Sequence, residues 1–244
     1  MIDTYVALDL ETTGLDAKHD KIIEIGAVNV RKGIITERFS VLVNPGQELV
    51  QTVIDLTGIT NEDLKSAPHI SEVIQSLLDF IGDDNLLGHS ILFDYSFVKR
   101  AAVNAGKQFE NQGIDTLRIA RKYLPELESR SLSALCTYYE IEHHAHRALE
   151  DAVATHELFK KLCENFYVDT QEKDFNPVRL IYKVKKEGPI TKHQKEQLNR
   201  LAQEKNLTFT LDMDCLTKNE ASRITDMILN GTLHGIISHP NPVK

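Results

Sequence analysis

Three short runs rich in Val, Ile and Leu open the chain, over residues 5–10, 21–30 and 38–43, with Gly- or Pro-containing turns between them. Short β-branched runs bounded by turn residues predict strands, here an antiparallel meander. Downstream the period changes. From Ser71, apolar residues recur at Val73, Ile74, Leu77, Leu78 and Ile81 and stop at Gly82, which predicts a helix. A short strand is expected over 85–88. Further helices are expected over 93–105, after Asp115, after Ser131 and from about 148 to 166. Strands first, then strands alternating with helices, predict an α/β domain with a mixed sheet.

Residues 169–177 (DTQEKDFNP) are polar and carry no apolar period, so they are expected to be a linker between a domain at 1–168 and a small module at 178–244. In the second part, Thr191 with Gln194 and Thr217 with Glu220 have the form of capping boxes, each ahead of a helical apolar pattern. The expected module is mainly helical.

Composition narrows the class. With 244 residues, 41% hydrophobic and 26% charged, the chain is near the globular average, which excludes collagen-like, coiled-coil and wholly disordered proteins. Its apolar runs fall short of the ~20 residues of a membrane span, and MIDTYVALDLE lacks a signal-peptide pattern. The expectation is a soluble, cytoplasmic protein without membrane contact. Cys136, Cys163 and Cys215 stand far apart, which fits a reducing compartment and small buried hydrophobes. The net charge of −8 argues against a protein that coats nucleic acid. That average hides an asymmetry: residues 1–177 carry 17 basic and 29 acidic side chains, whereas 178–244 carry 11 and 7.

Four carboxylates and a histidine stand out in three separated motifs. In VALDLETTGL, Asp9 and Glu11 lie two apart in a strand and so project from one face. Like charges that close repel unless a cation neutralises them, although an exposed strand face would also show this pattern. In GHSILFDYSFV, Asp94 opens a helix, where an acid also complements the helix dipole. His89, at a strand end, reads as a hydrogen-bonded structural residue. In HRALEDA, His146 precedes Asp151 by five positions, and Asp151 falls in line with Leu158 and Leu162 on the core side of its helix. A buried carboxylate needs a partner, and a metal ion is a suitable one. The HHAHR stretch lacks the further Cys or His a structural zinc site would need.

These motifs, Asp9-x-Glu11 in D-x-E-T-T-G-L, Asp94 in G-H-x-x-x-F-D and His146 five before Asp151, resemble in order and spacing those of the DEDDh (DnaQ-like) 3′ to 5′ exonucleases. The resemblance spans about residues 3–166 and is strongest to the proofreading epsilon-subunit type of bacterial DNA polymerase III. Ser90, where the family more often has Asn, and Thr57, where His is frequent, depart from the pattern. The resemblance implies an RNase H-like mixed sheet with flanking helices. It also implies phosphodiester hydrolysis with two divalent ions, Mg²⁺ or Mn²⁺. Asp9 would bridge both ions, Glu11 and Asp151 would complete one site and Asp94 would hold the second. His146 would take a proton from the activated water. Thr12, Thr13, Gly14 and Leu15 would hold the terminal nucleotide, with Leu15 and Ile59 against its base, Phe93 near the next, and Phe97, one helical turn on from Phe93, also in contact with the substrate. The implied substrate is a DNA 3′ end, single-stranded or frayed, and a DNA polymerase subunit is a candidate partner.

Three alternatives stay open on the residues alone. An exoribonuclease would use the same carboxylates and differ in contacts to the 2′-hydroxyl. An inert polymerase-binding scaffold would not need all five residues. A glycosidase would need only one carboxylate pair. The C-terminal module, basic and helical, is expected to bind nucleic acid or a partner.

Overall fold

The structure is a computed structural model that describes residues 2–143, 145–168, 172–209, 211–231 and 237–238. The opening apolar runs form β1 (Tyr5–Thr12), β2 (Ile22–Arg31) and β3 (Ile34–Leu42), paired antiparallel as expected. Each runs one to four residues past its apolar run because ladder pairing carries on into polar positions, Thr12 opposite Ile22 and Arg31 opposite Ile34. On its other side β1 pairs in parallel with β4 (Leu86–Gly88), and β4 with β5 (Gln112–Asp115). The sheet order is β3-β2-β1-β4-β5-β6, with β6 at Val178–Arg179, which places β1 near the centre.

Alternation along β1 then assigns its faces. Val6, Leu8 and Leu10 pack with α3 (Ile70–Ile81) and α4 (Ile91–Asn104) in one core cluster. Tyr5 and Ala7 point the other way, into a cluster with α5 (Thr116–Tyr123), α6 (Leu132–Tyr138) and α7 (Ala148–Phe166). Asp9 and Glu11 continue this second face, so period 2 alone aims them towards α7. Two short helices, α1 (Gln51–Thr57) and α2 (Asn61–Lys65), fill the β3 to α3 connection, and the second has a full capping box from Thr60 and Asp63.

Part of the expected linker is packed chain. Helix α8 (Glu172–Phe175) buries Phe175 in the second core cluster, and β6 (Val178–Arg179) adds an antiparallel edge to β5. Leu180 enters the first core cluster. Residues 169–171 lie outside the described residues. Beyond them, α9 (Lys192–Lys205) and α10 (Lys218–Asn230) each start with the expected capping box, from Thr191 and Gln194 and from Thr217 and Glu220. Ile190, Leu198, Leu201, Ile224 and Ile228 give them a small core of their own. Between them lie β7 (Thr208–Phe209) and one 3-10 turn at Met213–Cys215, and β7 pairs antiparallel with β8 (Ile237–Ser238), which follows α10. This module touches the larger unit through a Lys21–Glu220 ion pair and a 2.7 Å hydrogen bond from the Asp212 N–H to the Gly46 carbonyl. Among the described residues no helix is long and apolar enough to cross a membrane.

Candidate active site

Asp9 and Glu11 of β1 and Asp151 of α7 bring carboxylate oxygens within 4.8 Å of one another. Asp94, in the first turn of α4, comes from the opposite side and accepts a 3.1 Å hydrogen bond from the Leu10 N–H. Burial, then the charges of Asp94, Asp151 and Glu11, hold the Asp9 carboxyl well above the usual carboxylate range. Asp94 is raised too, chiefly by burial. Glu11 is pushed up to about 7 by burial, with Asp151 and Glu24 adding to it and Arg147 opposing. Four acids thus share a region short of positive charge, where protons must be held if no cation is. All-oxygen donors of this kind suit hard divalent cations such as Mg²⁺ or Mn²⁺, so the residues fit the metal the motifs imply.

The backbone explains why the acids meet. Gly26 is the cross-strand partner of Asp9, and a Cβ there would fall 2.0 Å from the Ala148 carbonyl carbon. Lacking one, Gly26 lets the first turn of α7 lie on the sheet, with Asp151 above β1. Glu24, 1% exposed, fixes that turn: it accepts from the Arg147 guanidinium at 2.9 and 3.2 Å and from the Ala148 N–H at 3.0 Å. On the α4 side, Ser90 has φ +76°, and its N–H donates to Asp115 Oδ1 at 3.0 Å. Asn tolerates this left-handed conformation better than Ser, which gives the departure at Ser90 a physical meaning. Asp115 also accepts from Leu117 and Arg118 at the start of α5, so one side chain joins two strand-to-helix turns. His89 has the structural role expected of it: a carbonyl can only accept, so Nε2–H donates to Arg130 O at 2.9 Å and Nδ1 takes the Thr116 hydroxyl, also at 2.9 Å.

Residues 6–159 match the family model described as Exonuclease (RNase_T). The chain belongs to the exonuclease family. It is a 3′ to 5′ exonuclease of DnaQ-like type, and its mixed sheet with flanking helices is the RNase H-like fold. It is 40% identical over 166 residues to DNA polymerase III subunit epsilon of Aquifex aeolicus, covering 67% of this chain and 82% of that protein. It is also 40% identical over 166 residues to the PolC-type DNA polymerase III of Bacillus subtilis, but there the match is only 12% of the relative's length. A solved exonuclease X bound to 5′ overhanging duplex DNA superposes with a TM-score of 0.57 at 25% identity, over 70% of this chain and 98% of that one. Exonuclease I shares the fold, with a TM-score of 0.61 at 20% identity over 71% and 42% of the two chains.

In this exonuclease two histidines approach Asp151 in different ways. The His146 side chain is exposed, its backbone is left-handed with φ +70°, and it is the His146 N–H that donates to Asp151 Oδ2 at 3.0 Å. The ring against Asp151 Oδ1 belongs to His143. His144 lies outside the described residues.

The nucleotide-holding residues divide into two sets. Thr12, Thr13 and Gly14 form the turn after β1: the Thr12 hydroxyl donates to Gly14 O at 2.7 Å, and Asp20 accepts from the Thr13 hydroxyl and the Asp16 N–H. Leu15 then stands 87% exposed, an apolar side chain offered to a ligand. Phe93 is part-buried, its ring centroid 5.0 Å from that of Phe97. Phe97 and Ile59, each 4% exposed, are core residues instead. Phe97 supports Phe93 from beneath, and Ile59 packs with Ile23, Leu49 and Leu64, so the expected direct contacts for these two are corrected to supporting ones. Thr57 donates to Val53 O at 2.9 Å and accepts from the Ile59 N–H at 3.1 Å, closing the end of α1.

Glu24, Arg147, Gly26 and Asp115 are the positioning residues that sequence reasoning missed. Glu24 and Gly26 stood in an apolar strand run, where a buried acid and a bare backbone position were the available signals.

Proposed function

We propose that this exonuclease releases nucleoside monophosphates from DNA 3′ ends, single-stranded or frayed, with two divalent cations, Mg²⁺ or Mn²⁺, at Asp9, Glu11, Asp94 and Asp151. The observation that carries this reading is the meeting of carboxylates from β1, α4 and α7 in one cluster short of positive charge. Asp9 has the other three acids around it, so it would share in holding either ion. Bound there, such ions would lower the pKa of the attacking water and offset charge on the attacking and leaving oxygens. Around that chemistry the chain's own groups position and move protons. The 13–20 turn presents Leu15 to the terminal base, and apolar contact with a base face tolerates any sequence. His146, at the start of the turn into α7, is the general base that removes the proton from the attacking water. Its exposure leaves the ring room to reach a substrate-bound water.

The relatives named as a polymerase III subunit and as PolC-type polymerases support a role beside a DNA polymerase, in proofreading or repair, in the cytoplasm. The division into nuclease and C-terminal module belongs to the same proposal. Between the two units a cleft of about 1110 Å³ is lined by Lys18, Lys99, Arg100, Lys183, Lys185 and Arg223. Such a surface suits a phosphate backbone or an acidic partner, although Glu110 and Glu187 already pair with Lys99 and Arg100.

Time courses on 5′-labelled single-stranded DNA, mispaired duplex and RNA, with each metal, test the proposal. Stepwise shortening of DNA that stops with EDTA, and falls at least ~10³-fold in Asp9→Asn, is expected. Faster cleavage of RNA than DNA would transfer the assignment to an exoribonuclease, and undiminished activity in EDTA would end the two-ion mechanism.

A further inference from the structure

A second group of metal-ligand side chains lies away from the carboxylate cluster, where the C-terminal module meets the nuclease. His69, the residue before α3, faces Asp212 and Cys215 of the module, with ligand atoms of all three within 4.8 Å. Cys215 Sγ is 3.4 and 3.6 Å from the two ring nitrogens of His69 and 3.5 Å from Asp212 Oδ2. Tetrahedral zinc, with Zn–S near 2.3 Å and Zn–N or Zn–O near 2.0–2.1 Å, sets its sulfur and its N or O ligands about 3.6 Å apart. Cys215 Sγ and Asp212 Oδ2 already stand at such an edge distance, and the His69 ring, whose two nitrogens lie almost equally far from the sulfur, would turn to aim Nε2 at the ion.

The surrounding bonds leave the right atoms available. Asn44 O lies 3.2 Å from His69 Nδ1 and can only accept, so Nδ1 carries the proton and the Nε2 lone pair stays open. A ligating histidine tied through its other nitrogen to a backbone carbonyl is the usual second partner pattern of metal sites. Asp212 Oδ1 accepts from the Asp214 N–H at 2.8 Å, which leaves Oδ2 on the Cys215 side. The 44–46 loop frames both halves: Gly46 O accepts from the Asp212 N–H at 2.7 Å, and Gly46, at φ +71°, would carry any Cβ to within 3.0 Å of Cys215 Cβ. A larger residue there would push the cysteine off the histidine.

We propose that His69, Asp212 and Cys215 form a site for a zinc-like divalent cation that fastens the C-terminal module to the nuclease. A mixed N, O and S donor set prefers a borderline-soft ion, whereas the all-oxygen cluster prefers Mg²⁺ or Mn²⁺, so the two sites sort metals by ligand softness. Three protein donors leave the fourth tetrahedral position to water. The ion joins residues 143 positions apart or more, and its contribution is to hold two units in one orientation rather than to take part in hydrolysis.

The test uses the full reduced chain, stripped of metal and titrated with Co²⁺. A sulfur-to-cobalt charge-transfer band is expected, since only thiolate ligation produces it, and oxygen ligands at the carboxylate cluster cannot. The band should vanish in Cys215→Ser, weaken strongly in His69→Gln and be displaced by Zn²⁺. Zinc at a hundredfold excess over its Kd should raise the wild-type Tm by roughly 5–10 °C beyond the rise seen in Cys215→Ser. Mn²⁺-dependent cleavage of a short oligonucleotide should be the same in both. No charge-transfer band at saturating Co²⁺, or a band that persists in Cys215→Ser through buried Cys136 or Cys163, would overturn the proposal.

Discussion

Gly26 and Ala148 touch backbone to backbone, closely enough that a Cβ on the glycine would lie 2.0 Å from the alanine carbonyl carbon. Neither backbone is a flexible side-chain end, so Gly26→Ala must move α7 away from β2 and carry Asp151 with it. A displacement of ~1 Å in a catalytic group can cost ~10²-fold in rate, and overpacking costs about 1–3 kcal/mol. Gly26→Ala should therefore lose about two orders of magnitude in kcat and several degrees in Tm. Equal kcat in the variant would show that Asp151 does not depend on this contact.

Arg147 is the partner of buried Glu24, and truncating it leaves a carboxylate with the Ala148 N–H but without its counter-charge. Arg147→Met should destabilise the fold by about 1–3 kcal/mol. Adding Glu24→Gln should recover part of that loss, a coupling that a double-mutant cycle in urea measures. Additive effects of the two changes would dissolve the pair as a structural element.

Metal-free protein should grow less stable as pH rises from about 5 to 8. Glu11 titrates near 7 in the fold against 4.5 when unfolded, so the folded state binds more protons across that interval, and each unit costs about 1.4 kcal/mol. Stability is full below pH 4.5 and is lost as pH climbs to 7; Asp9 and Asp94, raised as well, act in the same direction. A fall in Tm of roughly 4–8 °C between pH 5.5 and 8 is expected from Glu11 alone, and Mg²⁺ or Mn²⁺ should flatten it. A metal-free Tm that rises over the same interval would contradict the raised carboxylates.

The two histidines near Asp151 can be separated kinetically. His146→Ala should lower kcat by roughly 10²–10⁴-fold with little change in KM, the signature of a lost general base. His143→Ala should lower it far less and preserve the low-pH limb of the rate profile. The opposite ranking would move the base to His143, the ring that meets Asp151 in the structure.

Local signals made much of the fold legible. Helix α7 runs from Ala148 to Phe166 as its apolar period indicated, and the capping boxes at Thr191 and Thr217 start helices because their reciprocal hydrogen bonds are satisfied within four residues. Asp9, Glu11 and Asp151 come together because period 2 in β1 and period 3.6 in α7 point them at each other. Interactions across long separations were not legible. Glu24 and Arg147 are 123 positions apart, and nothing local to either one names the other. Strand β5 was missed because QGID carries one branched residue in four and takes its structure from Leu86, Leu87 and Gly88 beside it. Cys215 was read as a buried hydrophobe, but it is only partly buried, and its neighbour His69 arrives from 146 residues away.

The late arrival of β6 bears on how the chain assembles during synthesis. Val178–Arg179 covers the outer edge of β5, while Phe175 and Leu180 fill the core on either face. Until about 180 residues have left the ribosome, β5 presents unpaired backbone groups to the surroundings, the kind of edge through which nascent chains join one another. A chain shortened ahead of residue 178 would keep that edge permanently open, and self-association, more than loss of chemistry, would be its dominant failure.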